Sequence, residues 1–271
     1  MVDTSSLAGK IAVVTGGTQG LGEATARLFV ERGAAGIVIC GRNAERGARV
    51  KGDLETLGAD TLFVEADLGN LDDVRRVVKA ADDAFGRVDC LVNVAALTDR
   101  GTILDTSPEL YEKMFAVNVR APFFLMQDAA TVMRREGIEG TVVNILSMSS
   151  HGGQPFICAY SASKAALAGL TKNVAYSLMR DRIRVNGLNI GWMNTPGEDS
   201  IQKREHGAKD GWLDEAKAAQ PFGRLLETTE VAKAIAFLSS AESGMMTGSL
   251  VDFDQSVLGC YDAPPQPAER L

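Results

Sequence analysis

Across 271 residues, 45% of them hydrophobic, the chain carries enough apolar side chain to bury one sizeable α/β core. Its 35 acidic and 28 basic residues leave a net charge of −7, which excludes the basic face that a nucleic-acid partner requires. No apolar run is long enough for a membrane span and MVDTSSLAGK has no export-signal pattern, so no membrane is expected and the cytoplasm is the expected compartment.

In chain order, residues 10–15 read as a strand rich in β-branched residues, of the kind buried on both faces of a parallel sheet. Gly16, Gly20 and Gly22 follow, opening a helix over about 20–32. A strand, a glycine turn and a helix together suit a pyrophosphate: glycines admit the phosphates close to the backbone, and the helix start offers unpaired N–H groups. The spacing is G-x-x-x-G-x-G rather than G-x-G-x-x-G, and a plain tight turn is the alternative. Strands recur near 36–40, 61–65, 88–92, 141–146, 183–189 and 249–252, with helices near 43–57, 70–85, 108–135, 159–180 and 228–239. This alternation predicts a single α/β domain, a doubly wound parallel sheet with helices on both faces, over about residues 8–252. Pro122 predicts a bend within the 108–135 helix. The charged, glycine-broken stretch at 194–218 reads as a lid, and the proline-rich tail at about 259–271 as an extended or disordered arm.

Chemistry concentrates in two segments. Tyr160 and Lys164 are four residues apart in AYSASKAALAGL, hence on one helix face, and Ser147 precedes the tyrosine by thirteen residues. A phenol can move a proton while hydride moves at a carbonyl carbon; a nearby ammonium is expected to lower its pKa, and a serine hydroxyl can bond the substrate oxygen. A tyrosine–lysine pair alone is as easily a solvated helix surface.

With the glycine turn and this trio read together, the chain resembles the short-chain dehydrogenase/reductase family over roughly residues 8–252. The resemblance rests on T-G-x-x-x-G-x-G at 15–22, Asp67-Leu68 after the third strand, Asn93-Val94-Ala95-Ala96 after the fourth, Asn118, Ser147, Tyr160 and Lys164 in order, and residues 190–195 after the sixth strand. It implies a Rossmann-type fold and a catalytic set of Asn118, Ser147, Tyr160 and Lys164. It also implies cofactor contacts from Gly16, Thr18, Gln19, Gly20, Leu21, Gly22, Arg42, Asp67, Leu68, Asn93, Ala95, Tyr160, Lys164, Met193 and Thr195. Asn118 would hold a water linking Lys164 to solvent. Homodimers or homotetramers through the helices near 108–135 and 159–180 are a further implication. Three departures from the family pattern stand out: Ile190 for proline, Ala96 for glycine, and Phe253-Asp254 for a glycine pair; they bear on the pocket and subunit contacts.

The second strand ends at Gly41-Arg42 without the acid that favours NAD(H) in this family, and an arginine fork suits a 2′-phosphate. NADP(H) is therefore favoured and NAD(H) remains possible, since Arg42 also reads as a solvated helix-start residue and Gln19 stands where NADP-using relatives often carry a cation. The expected reaction interconverts a secondary alcohol and a ketone. Substrate contacts should come from 96–100, 149–156 and 192–213, with His151, Gln154 and Trp192 as candidates; a surface loop, a turn residue and a packing aromatic are their alternatives. The polar lid suggests a sugar or polyol, and a 3-oxoacyl thioester or a non-catalytic NADP(H)-sensing role are the rivals. Cys40, Cys90, Cys158 and Cys260 lack metal-ligand spacing and two histidines make no metal centre, so no metal is expected.

Overall fold

A computed structural model describes residues 6–260; the PPQPAER tail lies outside them. Seven strands form one sheet: β1 (Ile11–Thr15), β2 (Gly36–Gly41), β3 (Asp60–Glu65), β4 (Cys90–Asn93), β5 (Thr141–Ile145), β6 (Arg184–Ile190) and β7 (Leu250–Phe253). Their order is β3-β2-β1-β4-β5-β6-β7, and every adjacent pair is parallel. Parallel neighbours cannot be joined by hairpins, so helices carry the chain back between them. These are α1 (Gly20–Glu31), α2 (Ala44–Thr56), α3 (Leu71–Phe85), α4 (Pro108–Phe115), α5 (Ala121–Arg135), α6 (Cys158–Leu178), α7 (Pro196–Glu205), α8 (Trp212–Ala218) and α9 (Thr228–Ser239). The result is the expected Rossmann-type sheet.

Side chains alternate across a strand, so β1 feeds two cores. Ala12 and Val14 join Phe29 of α1, Leu54 of α2 and Ile235 of α9 on one face; Val13 joins Val78 of α3 and Leu125 of α5 on the other. A strand buried on both faces has no polar positions to alternate with, which explains the unbroken IAVV and IVIC runs. The chain steps outward from β1 to β3, then returns to β4 beside β1. That reversal opens a crevice at the carboxyl ends of the strands.

The expected long helix at 108–135 is interrupted. Between α4 and α5, residues Ala116–Arg120 form a π-helical turn. Pro122 has no N–H to give the carbonyl four residues back, that of Asn118, so the regular ladder cannot close there. The lid segment contains α7, capped by Thr195 Oγ1 accepting from Glu198 N at 3.1 Å, and α8. A short parallel ladder, Met193–Asn194 with Leu226–Glu227, ties the ends of this segment together. No helix among the described residues is long and apolar enough to cross a membrane.

Candidate active site

The crevice is one cavity of about 1260 Å³ running from the glycine turn past Ser147 and Tyr160 to the lid. Gly16 adopts a φ of +66°, and a Cβ at Gly22 would sit 2.2 Å from the Gly16 carbonyl oxygen. Only glycine at position 22 lets α1 start this close to the turn. Gln19 precedes α1 without a side-chain cap, which leaves first-turn N–H groups available to an anion. Thr15 Oγ1 accepts from Val94 N at 3.0 Å and Ala95 N at 3.1 Å, joining the ends of β1 and β4 beneath the cavity. The expected cofactor residues Gly16, Thr18, Gln19, Gly20, Leu21, Gly22, Arg42, Asp67, Leu68, Ala95, Met193 and Thr195 all line it. Such a cradle, close-packed on glycine and ending at Arg42, fits a dinucleotide.

Asn93 does not line it. Its side chain is buried in the sheet, where Nδ2 donates to Asn144 Oδ1 at 2.8 Å. Residue 93 is the last of β4 and points into the sheet, while Val94 and Ala95, past the strand end, line the cavity. At the adenosine end, Arg46 from α2 also lines the cavity and donates to Gln19 Oε1. A neighbouring helix thus brings a cation to Gln19, which a motif within the turn could not reveal.

Ser147 follows β5, and Tyr160 and Lys164 project from the first turns of α6; all three line the cavity. Lys164 is buried, donates from Nζ to the Ile145 carbonyl at 2.7 Å and lies 5.7 Å from the Tyr160 ring centroid. Burial pushes its pKa down to about 8. Burial likewise raises the Tyr160 phenol above its ordinary value; a hydrogen bond with Ser147 and the charge of Arg100 oppose this, while the charge of Glu198 reinforces it. This corrects the expectation that Lys164 depresses Tyr160. The ammonium is turned to a backbone carbonyl and lies over the Tyr160 ring, and the cation opposing the upward shift of the phenol is Arg100.

Asn118 is buried beneath the site rather than lining it. Its Oδ1 accepts from Leu97 N at 2.8 Å, and its Nδ2 donates to Leu97 O at 2.9 Å and Ser163 Oγ at 3.0 Å. The amide is spent on protein partners, so a water would have to use the Asn118 carbonyl, which the Pro122 ring deprives of its helix donor.

Of the substrate candidates, Gln154 and Trp192 line the cavity and His151 does not. His151 Nε2 lies 3.1 Å from Asp252 Oδ1 and 3.1 Å from Asn189 Nδ2. It pins the turn after Ser147 to the ends of β6 and β7. The departures from the family pattern are coupled here. Asp254 lines the cavity, and a Cβ on Gly191 would meet Asp254 Oδ1 at 1.8 Å; Ile190 and Phe253 pack together against the core. Two further lining residues, Arg100 and Glu198, form an ion pair at 3.5 Å. They fall in the segments expected to touch substrate, but no local pattern marks them. Among the described residues, no cluster of His, Cys, Asp and Glu could hold a metal. All four cysteines are free, and burial raises the Cys40 and Cys90 thiols to about 12 and about 11, which makes them inert.

A family model described as enoyl-(acyl carrier protein) reductase matches residues 16–255, almost the whole of the core just described. The chain belongs to the short-chain dehydrogenase/reductase family. Among curated short-chain dehydrogenase/reductase relatives, an uncharacterized oxidoreductase of Thermotoga maritima is 35% identical over 246 residues, 91% of this chain and 96% of the relative. A 3alpha-hydroxysteroid dehydrogenase of Mediterraneibacter gnavus is 34% identical, over 92% and 96% of the two chains. L-Sorbose reductase from Gluconobacter frateurii, solved with NADPH and L-sorbose, superposes with a TM-score of 0.87 at 28% identity, covering 95% of this chain and all of the other. This is therefore a NAD(P)-dependent oxidoreductase of that family.

Proposed function

We propose that the protein interconverts a secondary alcohol and a ketone, with NADP(H) preferred over NAD(H). The observation that carries this is the opening of Ser147, Tyr160 and Lys164 into the same cavity as the glycine turn. A nicotinamide dinucleotide held by the glycine turn, Arg42, Met193 and Thr195 would supply or take up the hydride at the substrate carbon. In reduction, Ser147 holds the carbonyl oxygen and Tyr160 gives it a proton; in oxidation, the phenolate takes that proton back. Lys164, with a pKa of about 8, holds the Ile145 carbonyl beside the Tyr160 ring, and the Asn118 carbonyl offers an acceptor for a water leading to solvent.

Cofactor preference is supported by Arg42 and Arg46, which line the cavity together with Gly41 where an acid is absent. Two guanidinium groups there suit a 2′-phosphate. Relatives named for a steroid and for a ketose leave the substrate to the pocket. Its lid side is polar, with Gln154, Gln202 and His206 beside Arg100 and Glu198, which supports a hydrophilic substrate such as a sugar or polyol over a 3-oxoacyl thioester. The test uses NADPH deuterated at the transferred position, with ketoses, simple ketones and acyl thioesters. Deuterium on the carbinol carbon of the product is expected; reduction with deuterium lost to water would contradict direct hydride transfer.

A further inference from the structure

The side of the cavity away from the glycine turn is closed by α7 and the loop after β4, and one carboxylate joins them. Glu198 Oε1 accepts from Trp192 Nε1 at 2.9 Å and from Gln202 Nε2 at 2.8 Å, with Arg100 Nη2 at 3.5 Å. Its second oxygen has no hydrogen-bond partner recorded among the described residues, and its side chain is 17% exposed. Because Glu198 lines the cavity, that exposure faces the site. Arg100, by contrast, is largely committed: Nε donates to His206 Nε2 at 3.0 Å and Nη1 to the Thr98 carbonyl at 2.9 Å. The pair therefore shows the substrate an unpaired acceptor oxygen beside a guanidinium whose Nε and Nη1 already donate elsewhere. Trp192, which also lines the cavity and bonds the first oxygen, stacks on Trp212 with ring centroids 6.0 Å apart.

We infer that Glu198 reads the substrate, accepting a hydrogen bond from a hydroxyl beside the reacting carbon, so that the substrate is a neutral polyol or ketose. This rests on the reading of Tyr160 as the acid–base of the same cavity. A fixed carboxylate welcomes hydroxyl hydrogens and repels a carboxylate or phosphate held against it. A hydrogen bond to a charged acceptor is worth at least tenfold in discrimination, and an analogue lacking the hydroxyl leaves that acceptor unpaired. The indole face suits the C–H side of the same molecule. Glu198 and Arg100 are also near enough to Tyr160 to bias its phenol in opposite directions, which puts the hydroxyl they would read close to the reacting centre.

The experiment measures kcat and KM of the full chain with NADP⁺ and with NAD⁺ on cyclohexanol, trans-1,2-cyclohexanediol, xylitol, D-gluconate and a 3α-hydroxysteroid. The diol and xylitol should exceed cyclohexanol at least tenfold in kcat/KM, with gluconate well below xylitol. Glu198→Gln keeps an acceptor for Trp192 and Arg100 but removes the charge. It should lower the diol-to-cyclohexanol ratio at least tenfold, mainly through KM, and move the pH profile of kcat/KM to lower pH, whereas Arg100→Met should move it to higher pH. Glu198→Asp, which withdraws the same charge by one methylene, should give an intermediate ratio and serves should the glutamine variant fold poorly. Equal turnover of cyclohexanol and the diol, a preference untouched in both variants, or a steroid that outperforms the polyols would overturn the role of Glu198 while leaving that of Tyr160. Failure to oxidise any alcohol would overturn both.

Discussion

At the scale of single residues, burial is the dominant force on the reacting groups. Both Tyr160 and Lys164 have their charged forms disfavoured by it. Tyr160→Phe removes the proton donor without changing shape and should lower turnover by about 10²–10⁴, with cofactor affinity measured by titration largely kept. The lysine makes a second, thermodynamic claim. Its folded pKa of about 8 lies below the ordinary lysine value of 10.5, so the unfolded chain binds the extra proton more tightly. The cost to stability is fully present below about pH 8 and disappears as pH rises toward 10.5. Lys164→Met should therefore gain stability at pH 7, at most about 3 kcal/mol before the lost bond to the Ile145 carbonyl is counted, and the gain should shrink above pH 8 in denaturant melts. Arg42→Ala should weaken NADPH by about tenfold or more relative to NADH, the worth of charge-assisted bonds to a phosphate; equal losses for both cofactors would remove Arg42 from phosphate recognition.

At the scale of elements, α6 with its tyrosine–lysine pair and the glycine turn were legible because their constraints are local. A turn needing Gly22 against the Gly16 carbonyl, and a phenol one helical turn from an ammonium, both leave spaced marks in the chain. The π-helical turn at Ala116–Arg120 was half legible. Pro122 announced a disturbance, but its form depends on the bonds that Asn118 makes to Leu97 and Ser163 from other elements. Asn118→Ala should cost about 1–3 kcal/mol by orphaning the Leu97 backbone groups, read in thermal or urea melts, and should raise KM by loosening the loop that carries Arg100. Sequence spacing is silent where a side chain's direction is decided by its partner. Asn93 is taken by Asn144 and His151 by Asp252 and Asn189, and sequence spacing records neither.

At the scale of the whole molecule, the parallel order β3-β2-β1-β4-β5-β6-β7 brings segments from one end of the chain to the other onto one crevice. Alternating apolar runs foretold that sheet, because a strand buried on both faces has to be apolar throughout. The meeting of Arg100 with Glu198, nearly a hundred residues apart, could not be foretold, since it depends on how α7 settles over the loop after β4. The outer sides of α5 and α6 leave Phe123 41% and Tyr176 79% exposed. A homodimer or homotetramer covering those helices is expected, and a monomer by light scattering at micromolar concentration would contradict it.

The central claim is that one phenol carries the proton for hydride transfer in this cavity. It is tested most directly by following reduced-cofactor absorbance with the wild-type and Tyr160→Phe proteins on a common panel of polyols, ketoses, ketones and acyl thioesters. The expected result is turnover by the wild type that falls at least a hundredfold in the variant while NADPH still binds. Near-equal turnover of the two proteins would contradict it.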